Sequence, residues 1–283
     1  MKEVTRLNPT AIRVDGYHDV GINVWDFGGD GPPLVLAHCT GTHSRVWDPL
    51  VPGLLPYFHV YAYDTRGHGD SDKPEDPASY RWDYSGHDLL AVIDALDLGP
   101  GISAVGHSAG GSGICYAEMH RPGAFSQVVL LDPIIGSKEA FSGPNALAAK
   151  SRRRRNDFDS FEAAIERYSS RPPLNVWDAD ALEAYVRFGF FTREDGGVRL
   201  KCPGEIEAAV YDGSGATDVF EKLGELKFQV TLVTADESDC RRLAEAQRPR
   251  YSDVDFIMLE GCGHFIPQER PSEVTALILK ALT

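Results

Sequence analysis

The chain has 283 residues, of which 42% are hydrophobic and 10% aromatic, enough to bury a large core and to exclude disorder. Its 28 basic and 42 acidic residues give a net charge of −14, which argues against nucleic acid and anionic membranes as main partners. The charged N-terminus, residues 1–6, lacks the apolar run of a secretory signal, and no segment reaches transmembrane length. The five cysteines have no metal-ligand spacing, so we expect a reduced, cytoplasmic protein.

Short apolar strands and helical segments alternate along most of the chain. Polar and apolar residues alternate over 10–14 and 22–27, which predicts an antiparallel pair, whereas the continuous apolar run Leu34–Ala37 is typical of a strand buried on both faces. Because strands and helices alternate, we expect parallel strands joined by crossover helices. The predicted strands are Thr10–Val14, Ile22–Phe27, Leu34–Ala37, Val60–Tyr63, Ile102–Val105, Gln127–Leu131, Val230–Thr234 and Phe256–Leu259, and the predicted helices are Trp82–Leu98, Ile114–Met119 and Ser272–Leu282.

The middle of the chain, from about Gly136 to Leu223, interrupts this alternation. It has only helix-like segments and loops, with helices predicted over Asp159–Tyr168 and Ala179–Phe188. The first of these begins with Asp159-x-x-Glu162, a spacing similar to a capping box. The sequence therefore predicts one α/β core, residues 1–135 and 224–283, with a mainly helical insertion over 136–223.

The segment Gly106-x-Ser108-x-Gly110 has the spacing of a nucleophile elbow. In that turn a serine lies between a strand and a helix in a strained conformation, and the flanking residues are glycines because side chains there would clash. An apolar run precedes Gly106 and a helix-like segment follows Gly110, as the turn requires. The pattern predicts Ser108 as a nucleophile with the N–H groups of a helix N-terminus beside it.

A nucleophilic serine needs a base and an acid, which in this kind of turn follow it in the order Ser, Asp or Glu, His. Downstream of Ser108, His120 lies in the helix and points away, which leaves His264, in a glycine-rich loop, as the base. Two carboxylates at strand ends, Asp239 and Asp132, are candidates for the acid. We favour Asp239, and Asp132 stays open as the alternative. Asp236 and Glu237 lie close enough to Asp239 in sequence to be candidates as well.

An acyl-transfer site also needs hydrogen-bond donors for the oxyanion of the tetrahedral intermediate, each worth about 3 kcal/mol of the barrier. The backbone N–H of Ala109 is one candidate, because Ala109 begins the helix after Ser108. The second donor is expected in the loop that follows the strand Leu34–Ala37, which indicates Thr40 or Cys39.

Together these segments resemble the α/β-hydrolase superfamily. The segment His38–Gly41 is similar to its oxyanion loop, Asp64–Asp72 to a structural turn, Gly106–Gly110 to its elbow, and Gly263–Phe265 to its catalytic histidine loop. The resemblance implies the α/β-hydrolase fold, with a mostly parallel sheet flanked by helices. It also implies Thr40 and Ala109 as oxyanion donors, with Cys39 standing where the family usually has glycine. The family's acid normally follows the strand after the cap, as Asp239 does.

The resemblance also bears on the reaction and on the insertion. Epoxide hydrolases and haloalkane dehalogenases of this fold carry Asp at the elbow, so Ser108 favours acyl transfer instead. The insertion 136–223 resembles the cap that covers the pocket in capped members, which usually act on small or medium acyl compounds. The run Arg152–Arg155 fits a solvated face, and an alternative interpretation has one of its arginines holding a substrate carboxylate.

The sequence predicts a serine hydrolase that cleaves an ester, lactone or thioester of a small to medium, partly apolar substrate through an acyl-enzyme on Ser108. In this interpretation His264 moves the proton and Asp239 orients it, with no metal or organic cofactor. Two other functions stay open: a carbon–carbon bond hydrolase or cofactor-free haloperoxidase with the same triad, and a ligand receptor of this fold with slow turnover. The oligomeric state also stays open, between a monomer and a homodimer.

Overall fold

An eight-stranded sheet organises the described part of the chain, which is residues 7–215 and 218–283 of a computed structural model. The N-terminal charges, used above to exclude a secretory signal, lie outside the described residues. The strands are β1 (Thr10–Asp15), β2 (Gly21–Gly28), β3 (Pro33–Ala37), β4 (His59–Tyr63), β5 (Ile102–His107), β6 (Phe125–Leu131), β7 (Asp157–Phe158), β8 (Phe190–Thr192), β9 (Val198–Leu200), β10 (Gln229–Ala235) and β11 (Val254–Leu259).

The large sheet has the order β1-β2-β4-β3-β5-β6-β10-β11. Strand β2 pairs antiparallel with both β1 and β4, and the remaining neighbours are parallel. The expected mostly parallel sheet with an antiparallel N-terminal pair is therefore confirmed. Eleven helices accompany the strands in the described residues: α1 (Val51–Leu54), α2 (Trp82–Ala95), α3 (Ala109–His120), α4 (Ala146–Ser151), α5 (Phe161–Ser169), α6 (Ala179–Gly189), α7 (Gly204–Asp212), α8 (Val219–Lys222), α9 (Arg241–Gln247), α10 (Ile266–Glu269) and α11 (Pro271–Leu282).

The two faces of the sheet are covered by two separate hydrophobic clusters. In β3, Leu34 and Leu36 belong to one cluster, and Val35 and Ala37 to the other, because successive side chains of a strand point to opposite faces. Helices α2 and α3 pack on one face, and α1 and α11 on the other. Burial of both faces explains why β3 is apolar without alternation. Within the described residues, no helix is long and apolar enough to cross a membrane.

Within the described residues, the predicted insertion over 136–223 contains more than the helices and loops that the sequence predicts. Strands β7, β9 and β8 form a separate antiparallel sheet of three strands, each two or three residues long. Strands this short do not show a period of two residues, which is why the pattern missed them. The cap of α5 is also corrected: the hydroxyl of Ser160 accepts a hydrogen bond from the N–H of Ala163, one residue after the predicted Asp159–Glu162 box.

Candidate active site

Ser108 lies between the end of β5 and the first residue of α3, in the sharp turn that the sequence predicts. Its backbone angles, φ 56° and ψ −120°, are strained for a residue with a side chain. The turn is tight on both sides. A Cβ atom on Gly110 would lie 2.3 Å from the carbonyl oxygen of Ala37, and one on Gly106 would lie 2.6 Å from Cα of Gly111. The backbone approach at Gly106 and Gly110 therefore requires glycine.

The structure brings Ser108, His264 and Asp132 into one hydrogen-bonded chain. The Ser108 hydroxyl and Nε2 of His264 are 3.0 Å apart, and Nδ1 of His264 and Oδ2 of Asp132 are 2.6 Å apart. With Nδ1 donating to the carboxylate, Nε2 is free to accept from the serine. His264 follows β11, and Asp132 follows β6, so all three residues lie at the carboxyl ends of parallel strands.

The acid that contacts His264 is Asp132, which corrects the sequence-based choice of Asp239. Asp239 is exposed and makes no hydrogen bond to His264 in the described structure, whereas Asp132 is fully buried. The turn after β10 contributes Ser238 instead, whose hydroxyl donates to Oδ2 of Asp132. Thr234 donates to Oδ1 at 2.7 Å. Sequence reasoning missed both hydroxyls, because serine and threonine near a strand end carry no distinctive pattern.

Asp132 and His264 shift each other's pKa in opposite directions. Burial alone would raise the pKa of Asp132, but hydrogen bonds from His264, Ser238 and Thr234 lower it below its ordinary value. Burial alone would lower the pKa of His264, but hydrogen bonds and charge from Asp132 and Cys240 together outweigh it and raise that pKa. A carboxylate that stays ionised beside a histidine of raised basicity is the electrostatic arrangement that proton transfer from a serine requires.

We expect kcat/KM for an uncharged ester to fall as the pH decreases, with the midpoint of this acid limb above 6.5, the ordinary pKa of histidine. The sign follows because His264 must be neutral to accept a proton, and its raised pKa keeps it protonated to a higher pH. A pH–rate profile between pH 5 and 11 measures the midpoint, because this range includes both the ordinary pKa of histidine and the raised pKa of His264, about 10. A midpoint at or below 6.5 would contradict the proposed pairing with Asp132.

The loop His38–Gly41 is held beside Ser108 by two buried histidines. His38 donates from Nδ1 to the carbonyl of Cys39 at 2.8 Å, and its Nε2 accepts from the N–H of Thr65 at 3.0 Å. His68 accepts from the N–H of Gly41 at 3.0 Å. Burial lowers the pKa of both histidines, to about 3 for His68, so both rings are neutral and can accept these bonds. The resemblance assigns His38 to the oxyanion loop and His68 to a structural turn, but it does not predict these hydrogen bonds, because isolated histidines carry no distinctive spacing.

The fold brings together the two residues predicted as oxyanion donors, Ala109 and Thr40. Ala109 is the first residue of α3, where backbone N–H groups have no partner within the helix. Thr40 is buried in the loop after β3, and both residues line one small cavity. Cys39, in place of the family's usual glycine, is buried, and burial raises the pKa of its thiol to about 12. The Cys39 thiol is therefore protonated and unreactive at neutral pH.

A thiol that the sequence did not single out lies near the His264–Asp132 pair. Donor atoms of Asp132, Cys240 and His264 lie within 4.8 Å of one another, the one group of metal-ligand types found in the described residues. Zinc takes these ligand types. Here, however, Asp132 and His264 are already bonded to each other, and the far nitrogen of His264 faces Ser108. The group therefore fits an acid–base pair better than a metal site.

The insertion contacts the oxyanion loop directly. The hydroxyl of Tyr185, on α6, donates to the carbonyl of Gly41 at 3.3 Å, and Nε2 of His43 donates to the carbonyl of Tyr185 at 3.0 Å. One arginine of the run 152–155 turns inward to the same place. Arg154 pairs with Glu207 at 2.5 Å and donates to the hydroxyl of Tyr185. The run is therefore not a uniform solvated face.

The chain belongs to the alpha/beta hydrolase family, whose family model matches residues 34–277. It is 29% identical over 260 residues to the 2-(acetamidomethylene)succinate hydrolase of Mesorhizobium japonicum, a match that covers 90% of this chain and 88% of that protein. It is 29% identical to the lipase LipV of Mycobacterium tuberculosis, over 93% of this chain and 98% of the lipase. The 3-oxoadipate enol-lactonase 2 of Acinetobacter baylyi is 34% identical, but the match spans only 46% of that enzyme and 44% of this chain.

Solved structures agree with this assignment. The crystal structure of an E-2-(acetamidomethylene)succinate hydrolase superposes with a TM-score of 0.83 at 26% identity, covering 97% of this chain and 99% of that one. The relatives are named as hydrolases, and the fold matches along its whole length. The protein is therefore an enzyme of the hydrolase class.

Proposed function

We propose that the protein is a serine hydrolase that cleaves an ester-like bond of a small to medium substrate through an acyl-enzyme on Ser108. The observation that carries this proposal is the hydrogen-bonded chain from Ser108 through His264 to Asp132, with distances of 3.0 and 2.6 Å. These are the distances at which a base accepts the proton of a nucleophile while an acid orients it.

The reaction proceeds in two halves. Oγ of Ser108 attacks the substrate carbonyl carbon, its proton moves to Nε2 of His264, and the carbonyl electron pair becomes an oxyanion held by the N–H groups of Ala109 and Thr40. As the oxyanion collapses, the leaving group departs with the proton from Nε2, and an ester remains on Ser108. Water then attacks this ester and passes its proton to His264. The second collapse releases the acid and returns the proton to Ser108. The ionised Asp132 stabilises the imidazolium in both halves.

The insertion 136–223 acts in this proposal as a cap on the core formed by residues 1–135 and 224–283. Its contacts support that division, since Tyr185 and Glu207 of the insertion lie against Gly41 of the oxyanion loop. A Cβ on Gly41 would lie 2.8 Å from the carboxylate of Glu207, so the cap sits directly over the loop. A closely covered site favours a compact small-molecule substrate over a polymer.

A second candidate reaction is hydrolysis of the C–N bond of a small acylamino dicarboxylate. It is favoured by the relative named 2-(acetamidomethylene)succinate hydrolase, which matches this chain over 90% of its length and in structure. The inward-turned Arg154 supports a substrate that carries a carboxylate. In the described structure its charge is balanced by Glu207, so a carboxylate at Arg154 would have to displace that residue. The same triad would also serve a carbon–carbon hydrolase or a cofactor-free haloperoxidase.

Purified enzyme treated with a fluorophosphonate is expected to gain one adduct, located by peptide mass spectrometry on Ser108, because the probe captures a serine activated by its base. Turnover is then compared across short-chain esters, lactones, thioesters, 2-(acetamidomethylene)succinate, a diketone and a halide–peroxide assay. The highest kcat/KM is expected for an ester-like substrate, and preference for the acylamino dicarboxylate would select the second candidate. Labelling without turnover on any of these compounds would favour a receptor. No adduct at Ser108 would contradict the proposal.

A further inference from the structure

A small cavity beside Ser108 is lined by two residues whose buried hydroxyl groups have no partners in the described structure. It lies between the carboxyl ends of β3 and β4 and the start of α3, and it is lined by Thr40, Tyr63 and Ala109 among others. Thr40 is 8% exposed and Tyr63 is 1% exposed. Neither Oγ1 of Thr40 nor the phenolic oxygen of Tyr63 has a hydrogen-bond partner within the residues that the structure describes.

The other polar side chains that line this cavity are already engaged. His38 and His68 hold the oxyanion loop, the guanidinium of Arg66 pairs with a buried aspartate, and the hydroxyl of Ser85 donates to the carbonyl of Trp82 at 2.7 Å. The two free hydroxyls therefore stand out against a lining whose hydrogen bonds are complete. A buried hydroxyl without a partner destabilises the folded state, so a bound molecule that forms hydrogen bonds with these two hydroxyls would be stabilised there.

The partner that fits these hydroxyls is a hydrogen-bond acceptor. Burial raises the pKa of Tyr63, so its hydroxyl keeps its proton and can donate. The first residues of α3, Ala109 and Gly110, line the same cavity, and the positive end of a twelve-residue helix favours an electron-rich atom there. The cavity measures about 30 Å³, which is room for roughly one or two atoms of the size of a water oxygen.

We propose that the hydroxyls of Thr40 and Tyr63 form a subsite that binds an acceptor oxygen on the acyl part of the substrate. This rests on the proposed function. The cavity shares Thr40 and Ala109 with the oxyanion donors, so a group that enters it is attached close to the reacting carbonyl. The leaving group must lie near Nε2 of His264 to receive its proton, and His264 does not line the cavity. The oxygen in the subsite therefore belongs to the acyl part, as an ether, a ketone or a carboxylate.

The test compares pairs of p-nitrophenyl esters that differ by one acyl oxygen: methoxyacetate against butyrate, and levulinate against valerate. We expect the native enzyme to prefer the oxygen-bearing member of at least one pair by about tenfold in kcat/KM, the effect of one or two buried hydrogen bonds. Thr40→Val and Tyr63→Phe remove one hydroxyl each at nearly constant volume, and each is expected to reduce that preference severalfold. Thr40→Ser, which keeps a hydroxyl, is expected to retain it.

Ser85→Ala is the matched control, because Ser85 lines the same cavity and its hydroxyl is already bonded to the carbonyl of Trp82. Its preference is expected to equal that of the native enzyme. The proposal is overturned if the native enzyme prefers neither member of either pair, or if Thr40→Val and Tyr63→Phe keep the native preference. If circular dichroism shows that Thr40→Val or Tyr63→Phe is unfolded, the other of these two variants tests the proposal. A failure of the proposed function can be distinguished from these two outcomes, because in that case Ser108 of the native enzyme would not be labelled by the fluorophosphonate.

Discussion

Replacing Asp132 with Asn is expected to lower kcat for an ester by a factor of about 10⁴, while the protein remains folded. Asp132 accepts a hydrogen bond from the protonated Nδ1 of His264, at 2.6 Å. Nε2 of His264 is therefore unprotonated and can accept the proton of Ser108. An amide at this position can donate to Nδ1 instead, which favours the tautomer that carries its proton on Nε2. That proton would face the serine hydroxyl and prevent His264 from acting as the base.

The same variant has a second expected result, in the pH profile. The hydrogen bond to Asp132 raises the pKa of His264. In Asp132→Asn this contribution is lost, so the acid limb of kcat/KM is expected to move to lower pH than in the native enzyme. A variant that merely disturbed the fold would lower activity without this shift. Steady-state kinetics over the same pH range, with circular dichroism of both proteins, separates the two cases.

Asp239→Asn is the control that the sequence itself provides. Asp239 is exposed and makes no hydrogen bond to His264 in the described structure, so its variant is expected to keep kcat within about twofold, as surface substitutions usually do. The two substitutions are chemically identical, and they differ only in which strand end they occupy. If Asp239→Asn lost activity as Asp132→Asn is expected to, the assignment of the acid from the structure would be contradicted.

The sequence predicts the positions of the core strands well, but it does not decide which of these two carboxylates contacts His264. The strands of the core are apolar and bounded by turn residues, so their positions follow from the hydrophobic pattern. Asp132 and Asp239 follow β6 and β10, which are neighbours in the sheet, with Leu131 opposite Val233. The two strands that precede these aspartates therefore end side by side at the same edge of the sheet. The outcome depends on local backbone geometry, including a φ of 47° at Asp132, which no residue pattern reveals.

The sequence predicts the segment 136–223 as a break in the strand pattern, but it does not predict the detail of that segment. Its helices α5 and α6 have amphipathic spacing and begin within two residues of their predicted starts. The strands β7, β8 and β9 depend on pairing with one another rather than on local pattern. The run Arg152–Arg155 divides in a way that composition cannot show: Arg152 pairs with Asp212 at the surface, whereas Arg154 turns inward to Glu207.

Replacing Ser108 with Ala is expected to have the largest effect, a loss of about 10⁶ in kcat together with complete loss of fluorophosphonate labelling. The hydroxyl oxygen removed is the atom that forms the acyl-enzyme, and none of the neighbouring groups replaces it. Ala has the same backbone restrictions as Ser at φ 56°, so the turn and the fold are expected to persist.

Ser112→Ala is the matched control for this prediction. Ser112 lies in α3, the helix that follows Ser108, and is buried, but its hydroxyl donates to the carbonyl of Ile134 at 2.7 Å and takes no part in the triad. Its loss is expected to reduce stability by about 1 kcal/mol and to leave labelling intact. Measured kcat, labelling stoichiometry and thermal unfolding of the two variants therefore separate chemistry from packing. Hydrolysis by Ser108→Ala at a rate within a hundredfold of the native rate would contradict the assignment of Ser108 as the nucleophile. Without Ser108 no acyl-enzyme can form, and water activated by His264 is not expected to reach such a rate.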